Sequence, residues 1–230
     1  MKPPNSISPE INLNDVHLKL NSLAGEVHIL RGINLSIFPG QVVGIIGASG
    51  SGKTSLLMVI AGLEPLTRGE ISLNEQNLSS MTEDQLAVMR KNDFGIIFQN
   101  FHLVPSMTAL ENIALPLEIA GFNNSWEIAK SYLDLVGLTS RAEHYPNQLS
   151  GGEQQRIAIA RAFSTKPKVV LADEPTGSLD QKTGSEIINL IFRLQAEHNT
   201  TFVLVTHANA LAERCDRIIR LADGKAIAND

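Results

Sequence analysis

Apolar positions change period along the chain, and each change marks an element. Residues 11–20 (INLNDVHLKL) and 29–37 (ILRGINLSI) alternate in part between apolar and polar. This predicts two half-buried strands, the second ending at the Pro39-Gly40 turn. Residues 41–46 (QVVGII) form a short apolar run, the pattern of a strand buried on both faces. A Gly-rich loop follows, and residues 54–61 read as a helix. Glu70 to Leu73 predicts a short strand. Thr82-x-x-Gln85 has the spacing of a capping box, so a short helix is expected to open there. Gly95 to Gln99 (GIIFQ) predicts another strand.

From about residue 100 to about 165 the period is mostly helical. Thr108-x-x-Glu111 is a second capping-box pattern. Pro116 falls inside the helical pattern, where it lacks an N–H and crowds the preceding turn, so a kink or break is expected. Trp126 to Val136 is amphipathic and stops at Gly137. Val169 to Ala172 predicts a buried strand, Ser185 to Glu197 a helix and Thr201 to Thr206 a further strand. Arg217 to Leu221, a turn at Asp223-Gly224 and a short last strand complete the pattern. Strands alternating with helices predict an α/β fold with a mostly parallel sheet. The helical stretch 100–165 interrupts that rhythm and reads as a subdomain inserted into one domain spanning 11–230. Residues 1–10, with Pro3, Pro4 and Pro9, read as a flexible tail. The chain stops near its last predicted strand, so no appended regulatory domain is expected.

Length and charge narrow the class. The chain has 230 residues, 43% hydrophobic and 19% charged, enough for one domain with an added lobe. The formal net charge is -5 and no long Lys/Arg run is present, which weighs against a nucleic-acid partner. The lone Cys215 cannot form an internal disulfide and reads as a packing residue in a reducing compartment. No apolar run reaches the ~18–20 residues that span a bilayer, and the N-terminus lacks the apolar segment of a signal peptide. A cytoplasmic chain is expected, one that docks on another protein if it acts at a membrane. His17, His28, His102, His144 and His198 show no metal-ligand spacing and read as surface or structural.

Residues 47–54, Gly47-Ala48-Ser49-Gly50-Ser51-Gly52-Lys53-Thr54, satisfy G-x-x-x-x-G-K-[ST] between a predicted strand and a predicted helix. Glycines let the backbone curl so that its N–H groups face phosphate oxygens, and the helix N-terminus adds partial positive charge. Lys53 can set a compact cation on the β and γ phosphates, and the Thr54 hydroxyl can ligate Mg²⁺. Gly47, Ser49, Gly50, Ser51, Gly52, Lys53, Thr54 and Ser55 are the candidate phosphate contacts.

Residues 169–174 (VVLADE) are an apolar strand ending in two carboxylates. Asp173 can hold Mg²⁺ through water, and Glu174 can polarise the attacking water as general base. Consecutive strand residues point to opposite faces, so the two acids can take different roles. Ser150-x-x-Glu153 is a third capping-box pattern. A helix N-terminus offering a Ser hydroxyl and two glycine N–H groups is also an anion site. The loop 47–54 already serves one set of phosphates, so this second site makes sense if it faces a nucleotide on another copy.

Leu149-Ser150-Gly151-Gly152-Glu153, downstream of a phosphate loop and just ahead of an acidic strand end, resembles the signature of the ATP-binding-cassette (ABC) ATPases. The resemblance runs from about residue 11 to 227. It implies a phosphate-loop (P-loop) NTPase core with an N-terminal antiparallel β region and an inserted α-helical subdomain. It also implies ATP and Mg²⁺ as cofactors, and a head-to-tail homodimer. In that dimer Ser150, Gly151, Gly152 and Glu153 of one copy grip ATP held by the other. Gln99 resembles the Q-loop glutamine, which contacts Mg²⁺ or its water and links to the helical subdomain. Ser178-Leu179-Asp180 resembles the D-loop, which crosses the dimer interface. His207 resembles the switch histidine on the γ-phosphate.

FQNFHLVPSMTALENIALPLEIAG, HYPNQLSGGEQQRIAIARAF and ADEPTGSLD resemble the ATPases of lipoprotein-release and macrolide-export systems, the LolD/MacB-like group and its YbbA-type branch. That implies a membrane permease partner with a large extracytoplasmic domain, and a peripheral place on the cytoplasmic face of the inner membrane. It also implies cargo among lipids, lipoproteins or hydrophobic compounds. Met107, Leu110 and the LPLEI segment fall where that family docks its membrane subunit, and a plain core role is equally open. The rival class, soluble ABC ATPases that remodel nucleic acid or ribosomes, usually carries two cassettes or a long coiled coil, and neither is present here. A non-hydrolysing regulatory subunit sits poorly with Lys53, Asp173, Glu174 and His207. One departure stands out. Leu20 occupies the position where the family stacks adenine on an aromatic ring, and no Tyr, Phe or Trp lies between Met1 and Ile37. A base–aromatic stack contributes about 1–3 kcal/mol, so weaker adenine discrimination is expected.

Overall fold

The computed structural model describes residues 8–22, 25–207 and 209–227. The expected tail therefore lies largely outside the described residues; at its described end Glu10 is buried and accepts from Asn74 Nδ2 at 2.8 Å. Two compact units divide the chain: Met1–Ala87 joined with Thr201–Asp230, and Val88–Thr200.

In the first unit, β1 (Ile11–Ser22) pairs antiparallel with β2 (Gly25–Ile37) and with β4 (Arg68–Leu73), which in turn pairs with the short β5 (Gln76–Asn77). The alternation of β1 is partial for a physical reason. Ile11 and Leu13 point into the core, and so do Val16 and Leu18, so the apolar phase shifts by one residue in between. The register breaks at that point, and Asp15 adopts a left-handed φ of 47, as one class of β-bulge does. The Asp15 carboxylate pairs with His17 and with Arg68, each at 2.9 Å.

The same unit holds a parallel set. β3 (Val42–Ile46) lies between β8 (Thr201–Val205) and β9 (Arg217–Ala222), with β10 (Lys225–Ile227) antiparallel on β9. Every residue of β3 and β8 is buried, as continuous apolar runs predict. α1 (Lys53–Ile60) follows β3 directly. A short helix, α7 (Asn209–Ala212), had no clear sequence signal. A Cβ built on Gly44 would lie 3.1 Å from Cys215 Sγ, and burial pushes that thiol up to about 11, consistent with a packing residue.

α2 (Glu83–Asp93) begins in the first unit and ends in the second, and opens with the expected Thr82/Gln85 box. In the second unit β6 (Phe94–Ile97) and β7 (Val169–Asp173) pair in parallel. Between them in sequence come α3 (Ala109–Ile119), α4 (Ser125–Leu135) and α5 (Gly151–Ser164); α6 (Gln181–His198) follows β7. No break occurs at Pro116: α3 runs through it to Ile119. Its N-terminal turn is locked by the Thr108/Glu111 capping box. Buried Asn112 holds it further, donating to the carbonyls of Val104, Met107 and Thr108 and accepting from Val104 N–H. These contacts offset the one backbone bond that proline removes. Leu110 and Leu117 are core residues, whereas Ile119 is 61% exposed. Among the described residues no helix is long and apolar enough to cross a membrane.

Candidate nucleotide-binding site

In the first unit the loop after β3 is shaped by close approaches. A Cβ on Gly47 would come 2.2 Å from the carbonyl oxygen of Leu221 and 2.8 Å from Ser51 Oγ, so no other residue fits there. Gly52 caps α1 with φ 99, a conformation that side chains disfavour. Lys53 is buried, and its ammonium donates to the carbonyls of Gly47 at 3.0 Å and Ala48 at 2.9 Å. Those carbonyls hold the cation over the loop. Ser49, Gly50 and Thr54 are exposed, and Ser55 is half-buried in the first turn of α1. Ser51 Oγ is buried with no hydrogen-bond partner among the described residues. A buried hydroxyl without a partner costs free energy that an entering acceptor would recover. Glycine-lined amides, a helix N-terminus, an ammonium and a donor in need of an acceptor fit a polyphosphate.

His207 follows β8 and is exposed. It lines an open cleft of about 340 Å³ with Ile46, Gly47, Ala48, Arg220 and Leu221. The strand order places β8 beside β3, which brings the predicted switch histidine to the mouth of the phosphate loop.

In the second unit a different group converges. Asp173 ends β7, half-buried. Glu174 does not continue the strand: it adopts φ 44, a left-handed conformation disfavoured by roughly 1–2 kcal/mol for a residue with a Cβ. The two acids therefore diverge by a backbone turn rather than by strand alternation. A Cβ on Gly177 would meet Gln99 Nε2 at 2.9 Å and Glu174 Oε2 at 3.3 Å. The glycine thus marks where the carboxamide and the carboxylate come together. Ser178 Oγ donates to the Gln99 carbonyl at 3.3 Å. Among the described residues no group of three or more His, Cys, Asp or Glu side chains could hold a metal.

The Ser150 turn is a full capping box. Ser150 Oγ accepts from Glu153 N–H at 3.3 Å, and Ser150 N–H donates to Glu153 Oε2 at 2.8 Å. The hydroxyl proton also goes to Glu153 Oε2, at 2.8 Å. The other carboxylate oxygen accepts from Arg141 Nε at 2.8 Å. The Arg141 bond first, then the Ser150 N–H, hold the Glu153 carboxyl at about 2. Glu153 is therefore committed to the turn, and Ser150, Gly151 and Gly152 form the face of this helix start. A Cβ on Gly152 would meet Thr183 Cγ2 at 2.6 Å, and one on Gly151 would meet Leu179 and Phe101. The signature turn is thus packed against the residues that follow Gln99 and Ser178. Asp180 caps α6, accepting from Lys182 and Thr183 N–H at 3.1 Å each. A hydrogen bond from the Thr183 side chain first, then its N–H, chiefly lower its carboxyl below the ordinary range.

Sequence reasoning missed Arg141 and Arg161, which act through their neighbours. Arg161 on α5 donates to the carbonyls of Phe101 and His102, two left-handed residues just past Gln99.

With this geometry in place, comparison with known proteins is direct. The ABC transporter family profile matches residues 30–177. An uncharacterized ABC transporter ATP-binding protein, YbbA of Escherichia coli K12, is 46% identical over 222 residues, covering 94% of this chain and 97% of that protein. The lipoprotein-releasing system ATP-binding protein LolD of Bacteroides fragilis is 44% identical, covering 92% of this chain and all of that protein. The macrolide export ATP-binding/permease protein MacB of Bartonella henselae is 43% identical, and the match spans only 32% of that longer protein. Among solved structures, the dimeric post-hydrolysis state of the ATP-binding cassette MJ0796, bound to ADP and Pi, superposes with TM-score 0.89. It is 38% identical and covers 96% of this chain.

Proposed function

Because this chain belongs to the ABC transporter family, as an ATP-binding subunit with ATPase activity, we propose that it powers a membrane permease that moves or extracts lipids, lipoproteins or hydrophobic compounds. It works from the cytoplasmic face of the inner membrane, and its partners are a second copy of itself and a permease with an extracytoplasmic domain. LolD and MacB, named for lipoprotein release and macrolide export, support the cargo class.

One observation carries this reading. The chain holds two helix starts suited to anions, α1 behind the loop 47–54 and α5 behind Ser150, where one bound nucleotide needs only one. Two copies closing head to tail use both: the loop of one copy and Ser150, Gly151 and Gly152 of the other share each ATP. Backbone N–H groups of the loop and Ser51 Oγ take the phosphates, and Lys53 turns its ammonium from the Gly47 and Ala48 carbonyls to the β and γ oxygens. Thr54, Asp173 and Gln99 would hold Mg²⁺, which supplies charge neutralisation on those oxygens. Glu174 accepts a proton from the attacking water, and His207 donates to the γ-phosphate as its charge develops. Gln99 and the helices of 100–165 pass the resulting motion to the permease.

The test is a tagged pull-down from detergent-solubilised membranes. Co-purification of a multi-span protein with a large extracytoplasmic domain supports the reading. Recovery only from the soluble fraction, alone or with ribosomes or DNA, refutes the membrane role.

A further inference from the structure

We propose that Arg141 is a positioning residue for the trans half of the ATP site: by neutralising the Glu153 carboxylate it lets the Ser150 hydroxyl turn to the γ-phosphate of a nucleotide on the second copy. The inference rests on the head-to-tail reading above.

The Ser150 hydroxyl has one proton, and it is already given to Glu153 Oε2 at 2.8 Å. A phosphate must win that proton from a carboxylate and settle beside it. Two anions at such a distance repel, and more strongly once closure excludes water. The N-terminus of α5 offsets only part of this, because its partial charge is smaller than a full carboxylate. Arg141 supplies the remainder. Its Nε bonds Oε1, the oxygen not used by Ser150, so it cancels the charge without occupying the hydroxyl.

The arginine is held for this task. It ends a short 3-10 turn, Thr139–Arg141, in which its own N–H donates to the Leu138 carbonyl. Residues just after it accept from the start of α3, Ala142 from Leu110 N–H and His144 from Ala109 N–H. Both side chains keep some solvent contact in the free chain, 44% for Arg141 and 25% for Glu153. A part-exposed pair contributes little to folding. Its weight should fall on dimer closure, where it becomes dry.

The experiment uses the full chain carrying Glu174→Gln, to block turnover, as parent. ATP-driven dimerisation is measured by sedimentation in Mg-ATP, with thermal melting alongside. Arg141→Gln is expected to raise the dimer dissociation constant about tenfold with little change in melting. Glu153→Gln, which keeps an acceptor for Ser150 and removes the charge, should dimerise at least as tightly as the parent. The double variant should return to within about twofold of Glu153→Gln alone, because the arginine then has no charge to cancel. The proposal is overturned if Arg141→Gln matches the parent, if Glu153→Gln weakens the dimer, or if the double variant is no better than Arg141→Gln. A parent that stays monomeric sinks the head-to-tail reading itself, and this inference with it.

Discussion

Arg161 donates to the His102 carbonyl at 2.6 Å, tying the signature helix α5 to the loop that follows Gln99. Its second arm donates to the Phe101 carbonyl at 2.9 Å, and the His102 ring stacks on Phe98 with centroids 4.4 Å apart. Phe101 and His102 adopt φ 60 and 47, so the arginine satisfies carbonyls turned by an unfavourable backbone. Burial lowers the Arg161 pKa, and the group remains a cation.

Removing that tie should loosen the loop. Arg161→Met is predicted to destabilise the chain by about 2–3 kcal/mol, from the loss of charge-assisted bonds and two deprived carbonyls. Amide exchange at residues 100–104 should accelerate more than at β7. Equal protection in Arg161→Met and the unaltered chain would show that the loop is held by other contacts.

Closure itself is tested by Glu174→Gln. With Glu174 as the proposed base, this change removes the proton acceptor, so ATP should bind and not turn over. Mg-ATP should then accumulate a dimer visible by light scattering. A variant that binds ATP and remains monomeric would falsify head-to-tail closure.

The Glu153 capping box predicts a pH dependence. Its carboxyl is depressed from 4.5 to about 2 in the folded chain. A depressed carboxyl contributes stability that is present above pH 4.5 and lost as pH falls through about 2. Because the Arg141–Glu153 pair is part-exposed the effect is small, and Glu153→Gln should slightly flatten the decline in stability across that window, followed by chemical denaturation at successive pH values. A carboxyl resonance of Glu153 titrating near 4.5 would contradict the arrangement seen here.

Leu20 stands at the position where the sequence resemblance puts the adenine stack. Leu20 and Val27 face each other across β1 and β2 and are 38% and 45% exposed. Neither offers a π face to adenine, so ATP and GTP should be hydrolysed with comparable kcat/KM. Leu20→Tyr should then favour ATP by about tenfold, within the range of a base–aromatic stack. Strong ATP preference in the unaltered chain, measured by competition, would mean that other groups read the base.

What could be read in the sequence was what depends on neighbours along the chain. β3, β7 and β8 were visible as apolar runs, and the three capping boxes as spaced pairs, because both signals are local. The shift between Leu13 and Val16 left a trace too, as an alternation that loses its phase. Arg141 and Arg161 left none. An arginine on a predicted helical stretch looks like solvated surface, and only folding shows that one meets Glu153 and the other the carbonyls past Gln99. The break half of the Pro116 expectation did not hold, because propensity is a weak guide where tertiary contacts such as those of Asn112 compensate. The left-handed turn at Glu174 also depends on packing beyond the strand pattern.

Gln155 offers the last test. It lies on α5 with no exposed surface, and neither its Nε2 nor its Oε1 has a hydrogen-bond partner among the described residues. A buried amide without partners costs about 1–3 kcal/mol relative to an apolar group of similar shape. Methionine has nearly the same length and adapts to irregular space. Gln155→Met is thus predicted to stabilise the chain by about 1–2 kcal/mol, as a higher urea midpoint with an unchanged slope. If the variant is instead less stable, the amide has partners in the working protein, and a buried water is the first to look for, by its exchange with solvent. Should Gln155→Met stabilise the free chain yet weaken the Mg-ATP dimer, the amide finds its partners only on closure, and its cost in the free chain belongs to the mechanism.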